Sequence, residues 1–135
     1  MRRAFIALGF VLLPVSSSHA AGFDGNWSVI EVCDPTAIGA RGYTWRYDAT
    51  VKDGHFVGHY RAKGESPSLT LEGDIQPDGT ALLDAKGISA DSDHNINFAP
   101  PQTPISFPVT AKFENSAGNG SRIGGRVCKF TFARH

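Results

Sequence analysis

Apolar and polar residues alternate along most of the chain after residue 20. The clearest runs of alternation cover residues 43–51, 69–75 and 105–113. Because successive side chains of a strand point to opposite faces of a sheet, this period of two is typical of antiparallel strands with one buried and one solvated face. Weaker runs cover residues 27–33, 55–62, 80–87, 94–98 and 126–132. The pattern therefore predicts eight strands.

Turn-forming sequences separate most of these runs. The tripeptide Lys52-Asp53-Gly54 and residues 76–79 predict tight hairpins, because Asp-Gly readily supplies a residue with positive φ. Residues 64–67 and 115–120 predict longer turns, and residues 89–104 predict a long surface loop around one short strand. No window after residue 20 carries an apolar stripe at helical spacing bounded by capping residues.

Strands joined in sequence order predict one antiparallel meander. A meander of eight strands closes most economically into an up-and-down β-barrel, and a β-sandwich is the alternative. Pro108 cannot donate a hydrogen bond to a neighbouring strand, so its strand is expected to lie at an edge or to be bulged there. The barrel is the favoured all-β architecture.

The two cysteines bear on this choice. If Cys33 and Cys128 pair across neighbouring antiparallel strands, the first and last strands meet and the barrel closes. The same register places Trp27 beside Arg134. A disulfide that joined two facing sheets would suit a sandwich equally well.

The first twenty residues have the three regions of a secretory signal. Arg2 and Arg3 precede an apolar run over residues 4–15, and Ser18 and Ala20 are small residues at the positions that a signal peptidase recognises. The run is much shorter than the roughly 20 residues that span a bilayer, so a permanent anchor is disfavoured. Residues 1–20 are therefore predicted to be a signal peptide and residues 21–135 a single exported domain. The arginine pair leaves twin-arginine export as an alternative to ordinary secretion.

Composition and charge narrow the classes of partner. The whole chain has 13 Lys and Arg against 13 Asp and Glu, and without the predicted signal its net charge becomes −2. Such a balance gives no electrostatic basis for binding nucleic acid or an anionic membrane. In the periplasm or outside the cell, Cys33 and Cys128 are expected to form one structural disulfide, with a reactive thiol pair as the alternative.

Aromatic residues concentrate at the positions predicted to face the interior. Tyr43, Trp45 and Tyr47 share one phase of their strand, and Phe56 and Tyr60 share the inward phase of the next. An eight-stranded barrel either fills with side chains or holds one small ligand. These residues therefore predict an aromatic-lined site for a small molecule.

Glu31 has the same phase as the apolar residues of the first predicted strand. A carboxylate inside the barrel would need a partner or a proton, and such groups mark functional sites. Arg126 has the phase to be that partner. A position at the rim, or a break in phase at a bulge, is the favoured alternative.

The polar clusters predict no metal site. His55 and His59 share a face, but two rungs of a strand separate their Cα atoms by about 13 Å, so both are expected on the solvent face. Oxygen-bearing side chains alternate over residues 91–97 as in a calcium loop, yet Ile96 stands where that loop needs glycine. A hydrophilic loop is favoured there.

Two resemblances add to this picture. Gly25-Asn26-Trp27 resembles the Gly-x-Trp signature of the calycins, which implies that Trp27 closes one end of a barrel and that Arg134 packs across it. Over residues 21–135 the chain also resembles a set of small exported bacterial proteins of unassigned function. The resembling segments are residues 23–29, 43–45, 51–54, 73–79 and 128–132. This second resemblance implies export and a barrel, and it implies no catalytic residues.

The sequence favours an exported, non-enzymatic barrel that binds a small ligand. It contains no nucleophile-elbow, metalloprotease or nucleotide-binding motif, so no catalytic residue and no cofactor are predicted. A protein-binding module, such as a periplasmic protease inhibitor that presents the proline-rich residues 99–104, is an alternative. A structural envelope protein and an unrecognised hydrolase are further alternatives.

Overall fold

A computed structural model describes residues 21–135 together with Gly9 and Val11. The predicted signal peptide, residues 1–20, otherwise lies outside the described residues. Among the residues described, no helix is both long enough and apolar enough to cross a membrane.

Eight antiparallel strands form one closed barrel, and each strand pairs with its neighbours in the sequence. The strands are β1 (Gly25–Cys33), β2 (Tyr43–Lys52), β3 (His55–Tyr60), β4 (Ser68–Asp74), β5 (Thr80–Ile88), β6 (Pro104–Phe113), β7 (Ala117–Arg122) and β8 (Cys128–Arg134). β1 also pairs with β8, which completes the circle. The predicted up-and-down barrel is confirmed, and the sandwich is excluded.

The closure has the register that the cysteines predicted. β1 and β8 pair from Trp27 opposite Arg134 to Cys33 opposite Cys128. The two cysteines form a disulfide across this pair, so neither of them is free. The expectation of a structural disulfide is confirmed, and the alternative of a thiol pair is excluded.

The strand expected at residues 94–98 is replaced by two short 3-10 turns, Ser92–His94 and Ile96–Phe98. Asn95 between them is buried, and its side-chain amide donates hydrogen bonds of 2.8 and 2.7 Å to two backbone carbonyls of the same loop. The two residues after Ile96 both have positive φ, 56° and 53°. Because an extended strand needs negative φ, this prediction was wrong.

The eighth strand is instead β7, part of which lies in a segment predicted to be a turn. Gly118 and Gly120 of this strand face the interior, where aromatic side chains leave no room for a larger residue. A Cβ atom at Gly118 would lie 3.2 Å from ring atoms of both Phe113 and Phe132. These glycines therefore serve close packing within a strand, and the actual turn is confined to residues 114–116.

Pro108 pairs with Asp84 of β5 on one side, and on the other its carbonyl accepts a 2.9 Å hydrogen bond from the backbone N–H of Ile123. The ladder between β6 and β7 begins at Val109 opposite Arg122, so Pro108 stands just beyond the end of β7. Its side chain is exposed. β6 pairs on both sides in the closed barrel, so it is not the predicted edge strand; the proline is accommodated because it lies where the regular β6–β7 ladder has ended.

The two ends of the barrel differ in their connections. At the end where β1 begins, the connecting segments are short: residues 53–54, 75–79 and 114–116. We call this the closed end. At the opposite end the connections are longer and cover residues 34–42, 61–67, 89–103 and 123–127. We call this the open end.

Aromatic side chains fill the closed end. Trp27 is fully buried, and its indole N–H donates a 2.8 Å hydrogen bond to the backbone carbonyl of Phe23. Its ring meets Phe113 edge-on, with 5.4 Å between the ring centroids. Phe56 packs against both Phe113 and Phe132, at centroid distances of 5.6 and 5.4 Å. This half of the interior is therefore solid.

Arg134 lies across the indole of Trp27, as the calycin resemblance implied. Its guanidinium carbon is 5.9 Å from the ring, and its N–H groups donate to the backbone carbonyls of Gly22, Asp24 and Asn115. Gly25 has a φ of 138°, and a Cβ atom there would lie 3.4 Å from Arg134 Nε. The glycine is needed for its backbone conformation, since a Cβ atom at this distance would make only an ordinary contact.

The disulfide is expected to contribute strongly to stability. Replacing Cys33 and Cys128 together by serine removes a cross-link between residues 95 positions apart. The chain-entropy model then gives a loss of up to about 4–5 kcal/mol in the free energy of unfolding. Urea unfolding of the oxidised protein and the double variant measures this loss. Reductant should lower the midpoint of the wild type but leave that of the variant unchanged. Equal midpoints for the oxidised and reduced wild type would contradict a stabilising role.

Candidate functional site

The open end contains a cavity of about 230 Å³ between the barrel wall and the 89–103 loop. Its wall combines aromatic and aliphatic side chains with basic ones. The principal strand residues of this wall are Tyr43, Trp45, Ile105, Phe107 and Arg122. His94, Ile96 and Arg126 come from the connecting loops. We call this cavity the mouth pocket.

A larger concave surface, about 1050 Å³, lies on the outer wall of β3, β4 and β5. His55 and His59 lie there, where His55 bonds to the carboxylates of Glu72 and Asp74 and His59 bonds to Thr70. Both histidines therefore face outward, as expected. We choose the mouth pocket as the candidate site because aromatic surface and basic groups converge in it.

The four predicted aromatic ligand residues form one cluster on β2 and β3. The Trp45 ring stacks on Tyr60 at 4.4 Å with 8° between the planes, and its other neighbour, Tyr43, is also 4.4 Å away. Tyr47 contacts Tyr60 at 6.1 Å. Tyr43 and Trp45 line the mouth pocket, whereas Tyr47 and Tyr60 support them from outside its lining. Phe56, which the sequence placed in the same aromatic interior, belongs to the core of the closed end.

Glu31 is fully buried in the barrel interior, so the favoured expectation of a rim position or a bulge was wrong. The hydroxyl of Tyr47 donates a 3.1 Å hydrogen bond to Glu31 Oε1, and Oε2 lies 3.8 Å from the disulfide sulfur of Cys33. Burial raises the pKa of Glu31 to about 7, although the Tyr47 hydrogen bond and the positive charge of Arg122 oppose this rise. Glu31 therefore changes its charge near neutral pH.

The same environment acts on the neighbouring phenols. Burial, and then the negative charge of Glu31, raise the pKa of both Tyr43 and Tyr47 above the ordinary range of tyrosine. Both hydroxyls stay protonated at neutral pH. Tyr47 can therefore remain a hydrogen-bond donor whichever form Glu31 takes.

Arg126 is not the partner of Glu31, and that prediction was wrong. Arg126 is only 7% exposed, and its guanidinium carbon lies 5.1 Å from the ring of Tyr43. Its N–H groups bind main-chain oxygens of the open-end loops, namely the carbonyls of Asp34, Arg41 and His94. Arg126 thus ties the 34–42 and 89–103 connections to its own connection, and this loop clamp holds the wall of the pocket.

Arg122 supplies the positive charge that Glu31 faces. Its guanidinium carbon lies 4.1 Å above the ring of Phe107, and Nε donates a 3.1 Å hydrogen bond to the carbonyl of Gly124. Among residues 21–135 its two terminal amino groups have no hydrogen-bond partner. Partial burial lowers the pKa of Arg122. The sequence did not predict a role for Arg122, because this residue follows the glycines that predicted a turn.

Comparison with models of known protein families, with curated proteins and with solved structures finds no match. The geometry of the mouth pocket therefore carries the functional interpretation.

Glu31 should make the stability of the barrel depend on pH. The pKa rises from an ordinary value of 4.5 to about 7 on folding, so the folded state holds the proton more tightly. The resulting stabilisation is complete below about pH 4.5 and disappears as the pH rises through 7, a change of roughly 3 kcal/mol. We expect Glu31→Gln, which stays neutral, to be more stable than the wild type at pH 8 and to lose this advantage toward pH 5.

Urea unfolding of both proteins between pH 5 and pH 8 measures this difference. Glu114→Gln is the matched control, because Glu114 is exposed at a turn of the closed end. Its unfolding profile should run parallel to that of the wild type. A Glu31→Gln profile that is also parallel would show that Glu31 does not titrate in this range.

Removing the guanidinium of Arg126 should loosen the open end. Arg126→Lys keeps the charge but cannot reach three carbonyls at once, so we expect a loss of about 2–4 kcal/mol in the free energy of unfolding. Amide hydrogen exchange should also accelerate in residues 34–42 and 89–103. Arg46→Lys, on the exposed face of β2, should change neither quantity. Unchanged exchange in both loops would rule out the clamp.

Proposed function

We propose that this protein is an exported, non-enzymatic binding protein that holds a small molecule in the mouth pocket. The observation that supports this proposal most strongly is the convergence of Tyr43, Trp45, Phe107 and Arg122 on one cavity at the open end of the barrel. Binding sites of this kind combine apolar surface with a few polar groups that fix orientation.

The size of the cavity suits a ligand with one ring. A cavity of roughly 150 Å³ is sufficient for benzene, and the mouth pocket has about 230 Å³. Trp45, which lines the pocket, packs against both Tyr43 and Tyr60 at 4.4 Å, so these side chains hold one another in place. A wall that is already ordered costs little entropy when a ligand binds.

Two hydroxyl groups of the pocket favour binding over catalysis. Ser89 and Thr103 both donate to the backbone carbonyl of Pro100, at 2.9 and 2.6 Å. A catalytic hydroxyl instead needs a base that accepts its proton. These two hydroxyls stabilise the loop over the pocket, so we assign them no role as nucleophiles.

Export is the second part of this proposal. The charged, apolar and small-residue regions at the N-terminus have the order of a secretory signal. The disulfide between β1 and β8 is consistent with an oxidising compartment. We therefore propose the periplasm or the cell exterior as the place of action.

A protein-binding module is the second candidate. Apolar side chains are exposed on the loops of the open end: Ile38, Phe98, Ile123 and Val127 are 48–60% exposed. Such side chains around a rigid frame would suit contact with another protein, including a protease. Co-purification and protease-inhibition assays address this candidate separately from the pocket.

Tryptophan fluorescence tests the pocket. The chain has two tryptophans, and only Trp45 lines the pocket, since Trp27 lies in the core of the closed end. A bound ring compound should therefore produce a saturable change that the Trp45→Phe variant loses, while calorimetry still detects binding to that variant. Suitable probes are benzoate, benzyl alcohol and benzylammonium. If calorimetry detects no binding of any of the three at millimolar concentration, the pocket is not a site for single-ring ligands.

A further inference from the structure

We propose that the mouth pocket selects a small aromatic carboxylate, with the carboxylate on Arg122 and the ring against Tyr43, Trp45 and Phe107. This inference rests on the proposed function and names the chemical class of its ligand.

The first argument is the state of the Arg122 side chain. Its Nε atom is engaged by Gly124, and the ring of Phe107 supports its flat face. The terminal amino groups remain available for a ligand. A guanidinium presents such groups as a planar fork that matches the two oxygens of a carboxylate.

The second argument is that the turn after β7 holds this fork in place. Gly125 has a φ of 68°, and a Cβ atom there would come within 2.7 Å of a terminal nitrogen of Arg122. The turn therefore packs against one side of the guanidinium, and the hydrogen bond from Nε to the Gly124 carbonyl orients it. A group held in its binding orientation loses little side-chain entropy when an anion arrives.

The third argument is the balance of charge around the cavity. The described residues of its lining include Arg122 and Arg126 but no aspartate or glutamate. All the nitrogens of the Arg126 side chain already bind main-chain oxygens. Glu31 is buried outside the lining and bonded to Tyr47. The charge of Glu31 acts on Arg122 from outside the lining. No carboxylate within the lining therefore occupies the terminal amino groups of Arg122, and an anionic ligand would bring one to them.

The shape of the cavity adds the requirement for a ring. Tyr43 and Trp45 lie on β2, while Phe107 lies on β6 beneath Arg122. Ile96 and Ile105 complete an apolar surface in the same cavity. A ring buries this surface, whereas a small anion without a ring leaves it in contact with water. A cationic ligand would be repelled by the positive charge of Arg122.

Calorimetry with four probes tests this inference: benzoate, benzyl alcohol, benzylammonium and acetate. We expect benzoate to bind the wild type at least about tenfold more tightly than each of the others. Tighter or equal binding of benzyl alcohol or benzylammonium would overturn the inference while leaving a ligand pocket in place. Equal binding of acetate would overturn the role of the ring. If no probe binds, both this inference and the proposed pocket fail.

Variants of Arg122 test whether this residue determines the selectivity for a carboxylate. Arg122→Gln should weaken benzoate binding by at least about tenfold and leave benzyl alcohol binding unchanged. Arg122→Lys keeps the positive charge but not the planar fork of the guanidinium. It should bind benzoate with an affinity between those of the wild type and Arg122→Gln. Arg46→Gln, on the exposed face of β2, is the control and should bind benzoate like the wild type. Near-ultraviolet circular dichroism verifies folding, and the probe comparison on the wild type stands even if a variant fails to fold. Wild-type benzoate affinity in folded Arg122→Gln would refute the assignment.

Discussion

β1 and β8 pair over seven residues, and this register closes the barrel and sets the groups that face each other across its seam. At one end it sets Arg134 opposite Trp27, so that the guanidinium covers the indole that plugs the barrel. At the other end it sets Cys33 opposite Cys128. A slip of one residue would turn the buried face of β1 outward, including Glu31, because side chains alternate along a strand. The disulfide makes such a slip impossible without breaking a covalent bond.

The fixed register divides the interior into two chemically different halves. The closed end is packed with aromatic rings, whereas the open end contains the buried polar groups Glu31, Tyr47 and Arg126. Burying such groups costs free energy unless hydrogen bonds satisfy them, and here the bonds run to a phenol and to backbone carbonyls. The aromatic closed end thus supports the open end, where polar groups are arranged around a cavity.

Alternation of apolar and polar residues was sufficient to predict the architecture, since it depends only on which face of a strand is buried. This pattern failed where a side chain forms hydrogen bonds with the backbone, and where close packing inside the barrel requires a glycine. Asn95 bonds to the main chain and converts an expected strand into 3-10 turns. Gly118 is in β7 because Phe113 and Phe132 need its space, although glycine in sequence predicts a turn.

The candidate site shows the same limit. The phase of β2 correctly brought Tyr43, Trp45 and Tyr47 to the interior. The sequence pattern could not reveal the role of Arg126. Its partners are main-chain carbonyls, which every residue type carries, so the amino acids at those positions do not indicate the contact. Arg122 was missed for a related reason, since its neighbours Phe107 and Gly124 meet it only in the folded barrel.

The clamp made by Arg126 has a consequence for how the open end can evolve. Its partners are the carbonyl oxygens of Asp34, Arg41 and His94, which any amino acid at those positions would supply. The loops are therefore held by contacts that do not depend on the side chains at these positions. Substitutions within them can alter the chemistry of the entrance while the frame persists.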